Sequence, residues 1–173
     1  SGPGFGDHVL ALRLAGGVAA GPGADQFTWD LGGVPGQAEG LTGLSLFGGT
    51  SLFFPVRGYD EGFRSGRTAW VASGEYRFPL AMVNRGLGLF PLHLDRVHGA
   101  VFVDAGNAWG PQGEGAGYDQ PRLGPLAGTG AEVVVRLSLL YSQPLVIRTG
   151  AAVPLVDALG SGPRFYIRVG SVF

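Results

Sequence analysis

The sequence contains no cysteine and no lysine, and charged residues make up only 14% of it. Without cysteine, the chain has no disulfides and no thiolate metal sites. The formal net charge is -1 and the pI is near 6.3. A nucleic-acid-binding protein would normally present a basic patch to the phosphates. No nucleic-acid partner is therefore predicted.

Long apolar runs are also absent. A membrane-spanning helix needs about 18 or more consecutive apolar residues, whereas glycine or a charge interrupts every apolar run of this chain. The opening SGPGFGDH lacks the basic start and the apolar stretch of a secretion signal. We therefore expect that a signal was removed, or that residues 1–173 are a single domain at the C-terminal end of a longer protein.

Signatures of catalysis and of cofactor binding are missing as well. The segments GPGFGD and GEGAGYD lack the lysine or the strand-to-helix context of a phosphate-binding loop. No nucleophile elbow and no Ser, His and Asp arrangement is visible. His93, Asp95 and His98 lie in a connection, and no further ligand follows at a suitable spacing. The sequence therefore predicts no enzyme, no cofactor and no metal site.

The dominant feature that is present is a period of two with one apolar face. In 130–141, Ala131, Val133 and Val135 alternate with Glu132 and Arg136. The same alternation recurs in 7–20, 67–80, 144–153 and 164–173. Because successive side chains of a β-strand point to opposite faces, this pattern predicts an all-β fold.

Two environments produce strands of this kind: a soluble β-sandwich, and a transmembrane barrel with lipid outside and a polar lumen. Strands of soluble sandwiches run about five or six residues, whereas membrane strands need about 9 to 11. The alternating segments here are of the longer kind, and their polar faces carry single arginines. Arginine suits a confined, hydrogen-bonded lumen. The favoured fold class is an antiparallel transmembrane β-barrel, and the soluble sandwich is the alternative.

The predicted strands lie at 8–20, 25–33, 66–80, 97–109, 129–141, 144–153 and 164–173. The segment 41–54 is also strand-like, and it could form an extra hairpin or replace 25–33. A barrel of about seven or eight strands must be partial or completed by an oligomer, because lipid tolerates no open edge. The turn at 142–143 is short, as periplasmic turns are, whereas 34–65, 110–128 and 154–163 are long, as extracellular loops are. This alternation places the C-terminus in the periplasm.

Several short segments carry a family resemblance. They are FTWDLGG (27–33), VRGY (56–59), GEYRFPL (74–80), GAVFVDAGNAW (99–109) and FYIRVGSVF (165–173). In this order they resemble the C-terminal barrel part of the bacterial surface antigen superfamily. That superfamily includes BamA- and TamA-type assembly proteins and two-partner secretion transporters. The resemblance implies a barrel of the Gram-negative outer membrane, with a long outer loop that folds back into the lumen.

The resemblance also implies a set of residues, here called the loop lock. By similarity, the tip of the extracellular loop 34–65 would bind two acidic residues on the barrel wall. Apart from the resemblance, a glycine on the same strand face as one of these acids would leave room for the tip. A loop that fills a watery lumen is expected to have few apolar contacts, so a charged tip needs charged partners. Alternatively, the two acids could pair with Arg13, Arg77, Arg136 or Arg148. The loop lock consists of Arg57, Gly58, Tyr59, Glu75, Asp104 and Gly106.

The last strand carries Phe165, Ile167 and Val169 and ends in Phe173, as the assembly signals of outer-membrane proteins do. By resemblance, this strand forms a lateral seam, and the protein inserts or translocates proteins across the outer membrane. The implied partners are outer-membrane lipid, the barrel-assembly machinery, client proteins, and remaining barrel strands from the same or another chain. Two other functions stay open: a passive barrel anchor for an upstream soluble periplasmic or surface domain, and a small self-associating pore.

Overall fold

The computed structural model describes residues 7–22, 24, 28–34, 52–86, 91–110, 124–140, 143–156 and 162–171. These residues form nine strands: β1 (Val9–Val18), β2 (Trp29–Leu31), β3 (Leu52–Phe54), β4 (Arg64–Gly66), β5 (Thr68–Gly86), β6 (Leu92–Trp109), β7 (Leu126–Leu139), β8 (Gln143–Pro154) and β9 (Arg164–Ser171). Among the described residues, no helix has the length and the apolar character needed to cross a membrane.

Six of the described strands form one antiparallel sheet in the order β1-β5-β6-β7-β8-β9. From β5 onward each strand pairs with the next along the chain, so the sheet is a meander. β1 joins its edge by pairing with β5, from Val9 opposite Arg77 to Val18 opposite Thr68. The predicted antiparallel all-β fold is confirmed. Within the described residues the sheet is open between β1 and β9, as part of a barrel would be.

The segment between β1 and β5 contains a second, three-stranded sheet in the order β3-β2-β4. The prediction of a barrel strand at 25–33 is therefore wrong, since the described strand there is only Trp29–Leu31 and belongs to the small sheet. Gly32 and Gly33 have positive φ values of 124° and 71°, and this conformation ends the strand. Of the strand-like 41–54 segment, β3 is described, and 41–51 lie outside the described residues. The main sheet thus has six described strands rather than seven or eight.

β5 and β6 extend further than predicted, at the end of the sheet opposite the small sheet. The predicted strand ended at residue 80, one residue after Pro79, and proline cannot donate to a strand ladder. The structure continues β5 to Gly86 through register shifts between Pro79 and Ala81 and between Met82 and Arg85. Such irregularities accommodate a proline while the pairing continues. β6 correspondingly begins at Leu92 rather than at residue 97.

The two faces of the main sheet differ in polarity. We call the face that carries Glu75 and Asp104 the inner face, and both of these carboxylates are buried. The outer face carries large apolar side chains that are exposed, and among them Leu14 and Phe165 are each 80% exposed. A continuous apolar surface of this kind marks a site for lipid or for another protein.

An apolar core lies between the small sheet and the inner face. The segment between β1 and β5 contributes Leu31, Phe54, Val56 and Tyr59, and the main sheet contributes Ala69, Val71, Ala108 and Leu126. The ring of Trp29 stacks on Phe54 with centroids 5.0 Å apart. The expectation that this loop has few apolar contacts is therefore wrong. Burial of these side chains holds the loop against the sheet and thereby places the charged tip.

Candidate functional site: a buried loop arginine and three carboxylates

The Arg-Gly-Tyr tip lies between β3 and β4 and packs against the inner face, where Arg57 is only 4% exposed. A guanidinium has five N–H donors and no acceptor, so its burial is costly unless each donor finds a partner. Every one of these donors is used: Nε binds Asp104, Nη1 binds Glu75 and Glu132, and Nη2 binds Ser73 and Asp104.

Asp104, in the middle of β6, is the principal partner of Arg57. Nε of Arg57 donates to one carboxylate oxygen at 2.6 Å, and Nη2 donates to the other at 2.9 Å. The backbone amide of Arg57 also donates to Asp104, at 3.1 Å. The Ser73 hydroxyl donates to the same carboxylate at 2.5 Å. Two parallel bonds from a planar fork are a geometry that arginine provides and lysine does not.

The other two carboxylates come from the strands on either side of β6. Nη1 of Arg57 donates to Glu75 of β5 at 3.2 Å and to Glu132 of β7 at 3.0 Å. All three carboxylates point to the inner face. In the register Glu75 is opposite Phe102 and Glu132 is opposite Ala100, and both of these β6 residues are on the same face of the strand as Asp104. The tip arginine is therefore bound by one carboxylate from each of three consecutive strands. We call Glu75, Asp104 and Glu132 the carboxylate triad.

Two wall arginines balance the remaining charge of the triad. Arg77 donates to Glu75 at 2.6 Å, and Arg148 donates to Glu132 at 3.2 Å. Of the competing arginines considered from the sequence, these two do bind acids of the site, but alongside Arg57 rather than in its place. Three cations and three carboxylates make the cluster formally neutral, which reduces the cost of burying it.

The environment of Arg57 keeps it charged. Its guanidinium carbon lies 3.4 Å from the centroid of the Phe102 ring, so the cation also contacts an aromatic face. Burial by itself would lower the pKa of Arg57. The hydrogen bond and Coulomb attraction to Asp104, with the attraction to Glu132, outweigh burial and raise the pKa above its ordinary value. The tip is therefore a permanent cation.

Gly58 and Tyr59 complete the tip. Gly58 has a φ of +102°, and a Cβ built on it would lie 3.0 Å from the backbone of Val153 and Pro154, so a side chain fits neither the conformation nor the space. The ring of Tyr59 is buried in the apolar core. Its hydroxyl shares its hydrogen between the Ala127 carbonyl at 2.9 Å and the Val156 carbonyl.

Glycines on the inner face leave the space that the tip occupies. A Cβ on Gly106 would lie 2.8 Å from the Trp70 carbonyl oxygen and 3.1 Å from a methyl of Val56. A Cβ on Gly128 of β7 would overlap the carbonyl oxygen of Arg57. The structure thus brings together all six residues of the loop lock, and it adds Gly128 to the surface that receives the tip.

The residues predicted in the last strand lie elsewhere. Phe165, Ile167 and Val169 are exposed on the outer face of β9, opposite in direction to the carboxylate triad. Phe173 lies outside the described residues. The structure therefore separates the loop lock and the C-terminal apolar residues onto the two faces of one sheet.

Sequence reasoning missed part of the site. Glu132 was assigned to the polar face of its strand but not to the loop lock, and Phe102 and Ser73 were not considered. A signal was available, because Glu132 is one of very few acids inside a predicted strand and its face was known. The strand register needed to align it with Asp104 was not available from the pattern.

The fold and the site define a class: an all-β protein whose main antiparallel sheet has an exposed apolar outer face and an inner face that binds a returning loop. The comparison with protein families names it. The Omp85 superfamily domain matches residues 9–173, so the chain belongs to the Omp85 superfamily, and the resemblance to the bacterial surface antigen superfamily is confirmed. This superfamily comprises barrel proteins of the bacterial outer membrane that act in protein assembly or secretion. Searches of curated proteins and of solved structures found no match.

Proposed function

We propose that this protein inserts other proteins into the outer membrane or translocates them across it, through a barrel whose lumen is controlled by the loop lock. One observation carries the proposal: the tip arginine of a long inter-strand segment is buried against carboxylates from β5, β6 and β7. Membership of the Omp85 superfamily supports the same function. In this proposal the site holds a loop in place, a role that needs no covalent chemistry, and the protein would not be an enzyme.

The arrangement in the membrane follows from the two faces. The outer face, with exposed residues such as Leu12, Leu14 and Ile167, would face lipid, and the inner face would line the lumen. Residues 1–173 would be a single domain, the C-terminal part of a longer protein. The edges β1 and β9 would pair with remaining strands of the same or another chain, because an unpaired edge is not tolerated in lipid. The segments that follow β1, β6 and β8 leave the sheet at one end, which would be extracellular, and the C-terminus would be periplasmic.

Charge explains how the loop would close the lumen. Without Arg57, three inward-facing carboxylates would be close together with only Arg77 and Arg148 to balance them. Removing one partner of a buried ion pair costs about 3–5 kcal/mol. The loop would therefore stay seated at rest and would leave only when a client protein or a partner supplied comparable free energy.

The last strand would serve assembly of the protein itself. Phe165, Ile167, Val169 and Phe173 would be the signal that the barrel-assembly machinery recognises, and β9 would be one side of the seam. The exposure of the three described residues on the outer face is compatible with this role. Ser171 interrupts the apolar series, so replacing it with a larger apolar residue is a simple way to ask whether the signal can be strengthened.

The test is Arg57→Ala in the full-length protein, expressed from its own locus in its bacterium. We expect normal amounts of the variant in the outer membrane but a several-fold loss of client proteins from the outer membrane or the medium. Arg96→Ala is the matched control, because Arg96 is exposed and, within the part of the chain that the structure describes, forms an ion pair with its neighbour Asp95.

Two other results would count against the proposal. Unchanged client levels with the loop displaced would leave a passive anchor as the better interpretation. Ion conductance from the reconstituted chain alone, with unchanged client levels, would favour a small pore. Failure of the variant to reach the membrane is addressed by Arg57→Lys, which keeps the charge and removes the two-pronged geometry.

A further inference from the structure

β9 contacts the loop tip through two polar connections. On the inner face, the Tyr166 hydroxyl donates to Glu132 at 2.6 Å, and the same carboxylate oxygen accepts a hydrogen bond from Arg57 at 3.0 Å. At the loop end of β9, the guanidinium of Arg164 binds both carboxylate oxygens of Asp60, one of them at 2.8 Å. Asp60 directly follows the Arg-Gly-Tyr tip, three residues after Arg57.

A third connection involves the segment that leads into β9. Tyr59 donates to the backbone carbonyl of Val156, just after β8 ends. Gly58 packs on the backbone of Val153 and Pro154 at the end of β8. The tip therefore touches the end of β8, the start of the β8–β9 connection and β9 itself.

Within the described residues β9 is an edge strand of the main sheet, so these side-chain contacts add to strand pairing on one side. Within the described residues it pairs only with β8, from Arg164 opposite Ala152 to Ser171 opposite Leu145. Its apolar side chains, Phe165 and Ile167 among them, are exposed on the outer face and add no contact to the tip. The side-chain contacts on the inner face of β9 therefore help to fix its loop end.

We propose that Glu132 and Tyr166, assisted by the Asp60–Arg164 pair, couple the seating of the loop to the pairing of β9 with β8. With the loop seated, Arg57 and Tyr166 share Glu132, and Asp60 holds Arg164. When the tip leaves, Arg164 of β9 loses its bonds to Asp60, and Tyr166 loses a Glu132 carboxylate that Arg57 holds in place. The loop end of β9 then opens more often. Glu132 and Tyr166 are positioning residues. The biological use of this coupling rests on the proposed function, but the coupling itself does not.

Hydrogen exchange of the full-length protein in lipid nanodiscs tests the proposal in both directions. Arg57→Ala should raise amide exchange in 164–168 by about tenfold or more, the change expected when bonds to a charged group are lost. Tyr166→Phe should raise the exchange of the tip, including the Arg57 amide that donates to Asp104, because an equilibrium coupling is reciprocal. The matched control is Tyr76→Phe, whose hydroxyl contacts His8 away from the tip.

The exchange results either support the coupling or contradict it. Increased exchange at the distant segment in both variants, but not in Tyr76→Phe, supports the coupling. If either variant changes only its own surroundings, the coupling is wrong. Asp60→Asn is the second variant to use if Arg57→Ala does not fold. Asp60 is exposed, and its substitution weakens only the bond to Arg164. Exchange is measured without clients, so normal export in Arg57→Ala would contradict the proposed function while leaving this result standing.

Discussion

Arg57 binds Asp104 through three hydrogen bonds, two from its guanidinium and one from its own backbone amide. The two side-chain bonds require a guanidinium group, and the backbone bond requires the loop backbone to be in the right position. A carboxylate that binds both can be satisfied only when the tip is in one place. This relationship makes Asp104 the residue on which the register of the loop depends.

Replacing Arg57 with lysine should unseat the tip although the charge is kept. Lysine cannot supply the parallel bonds to Asp104 together with the bonds to Glu75 and Glu132. We expect the free energy of loop opening, measured by native-state hydrogen exchange of 56–60, to fall by about 2 kcal/mol or more. Arg85→Lys, at an exposed position of β5, should change it little. Equal opening free energies in Arg57→Lys and the native protein would contradict the geometric argument.

The three carboxylates should differ in importance. Asp104→Asn weakens every bond from Arg57 to its principal partner, and we expect a loss of about 3–5 kcal/mol in the stability of the seated loop. Glu75→Gln should cost less, about 1–2 kcal/mol, because Glu75 accepts a single bond of 3.2 Å from Arg57. Limited proteolysis of the loop gives the order directly. A larger effect of Glu75→Gln would show that charge, and not bond geometry, dominates the site.

Gly128→Ala should displace the loop without removing any charge. The added methyl would overlap the backbone carbonyl of Arg57, and overpacking of this kind costs about 1–3 kcal/mol. Faster proteolysis between residues 52 and 66 would report the displacement. Gly162→Ala is the control, because a Cβ there meets no atom within 4 Å. If the two alanine variants behave alike, the tip does not rest on β7 as the structure indicates.

Tyr59→Phe should keep the ring in the apolar core and remove only the hydroxyl. The carbonyls of Ala127 and Val156 would lose a donor, at a cost of about 1 kcal/mol. The difference in thermal unfolding between this variant and the native protein, both purified in detergent, measures it. Tyr59→Ala should cost about 3–5 kcal/mol, since it also leaves a cavity beside Val56 and Phe54. Similar losses for the two variants would mean that the ring contributes little.

Periodicity alone predicted which face of each strand is apolar and which is polar. The alternation in 67–80 and 130–141 placed Glu75 and Glu132 on one side and the apolar residues on the other, and the structure has the same sides. The prediction was wrong at Trp29–Leu31. This apolar stretch does form a strand, but the strand belongs to the small sheet and not to the main sheet. A local pattern does not state which sheet a short strand joins.

The sequence by itself determined that this is an antiparallel all-β protein with one apolar face, and its motifs identified the superfamily. It could do so because strand character and face are local properties, carried by neighbouring residues. Only the tertiary structure decided that Glu132 joins Glu75 and Asp104 around Arg57, that an apolar core holds the loop, and that Tyr166 connects the site to the last strand. Those contacts join residues that are far apart in the sequence, such as Arg57 and Glu132, which are 75 positions apart. They depend on the register of four strand pairs that no local pattern specifies.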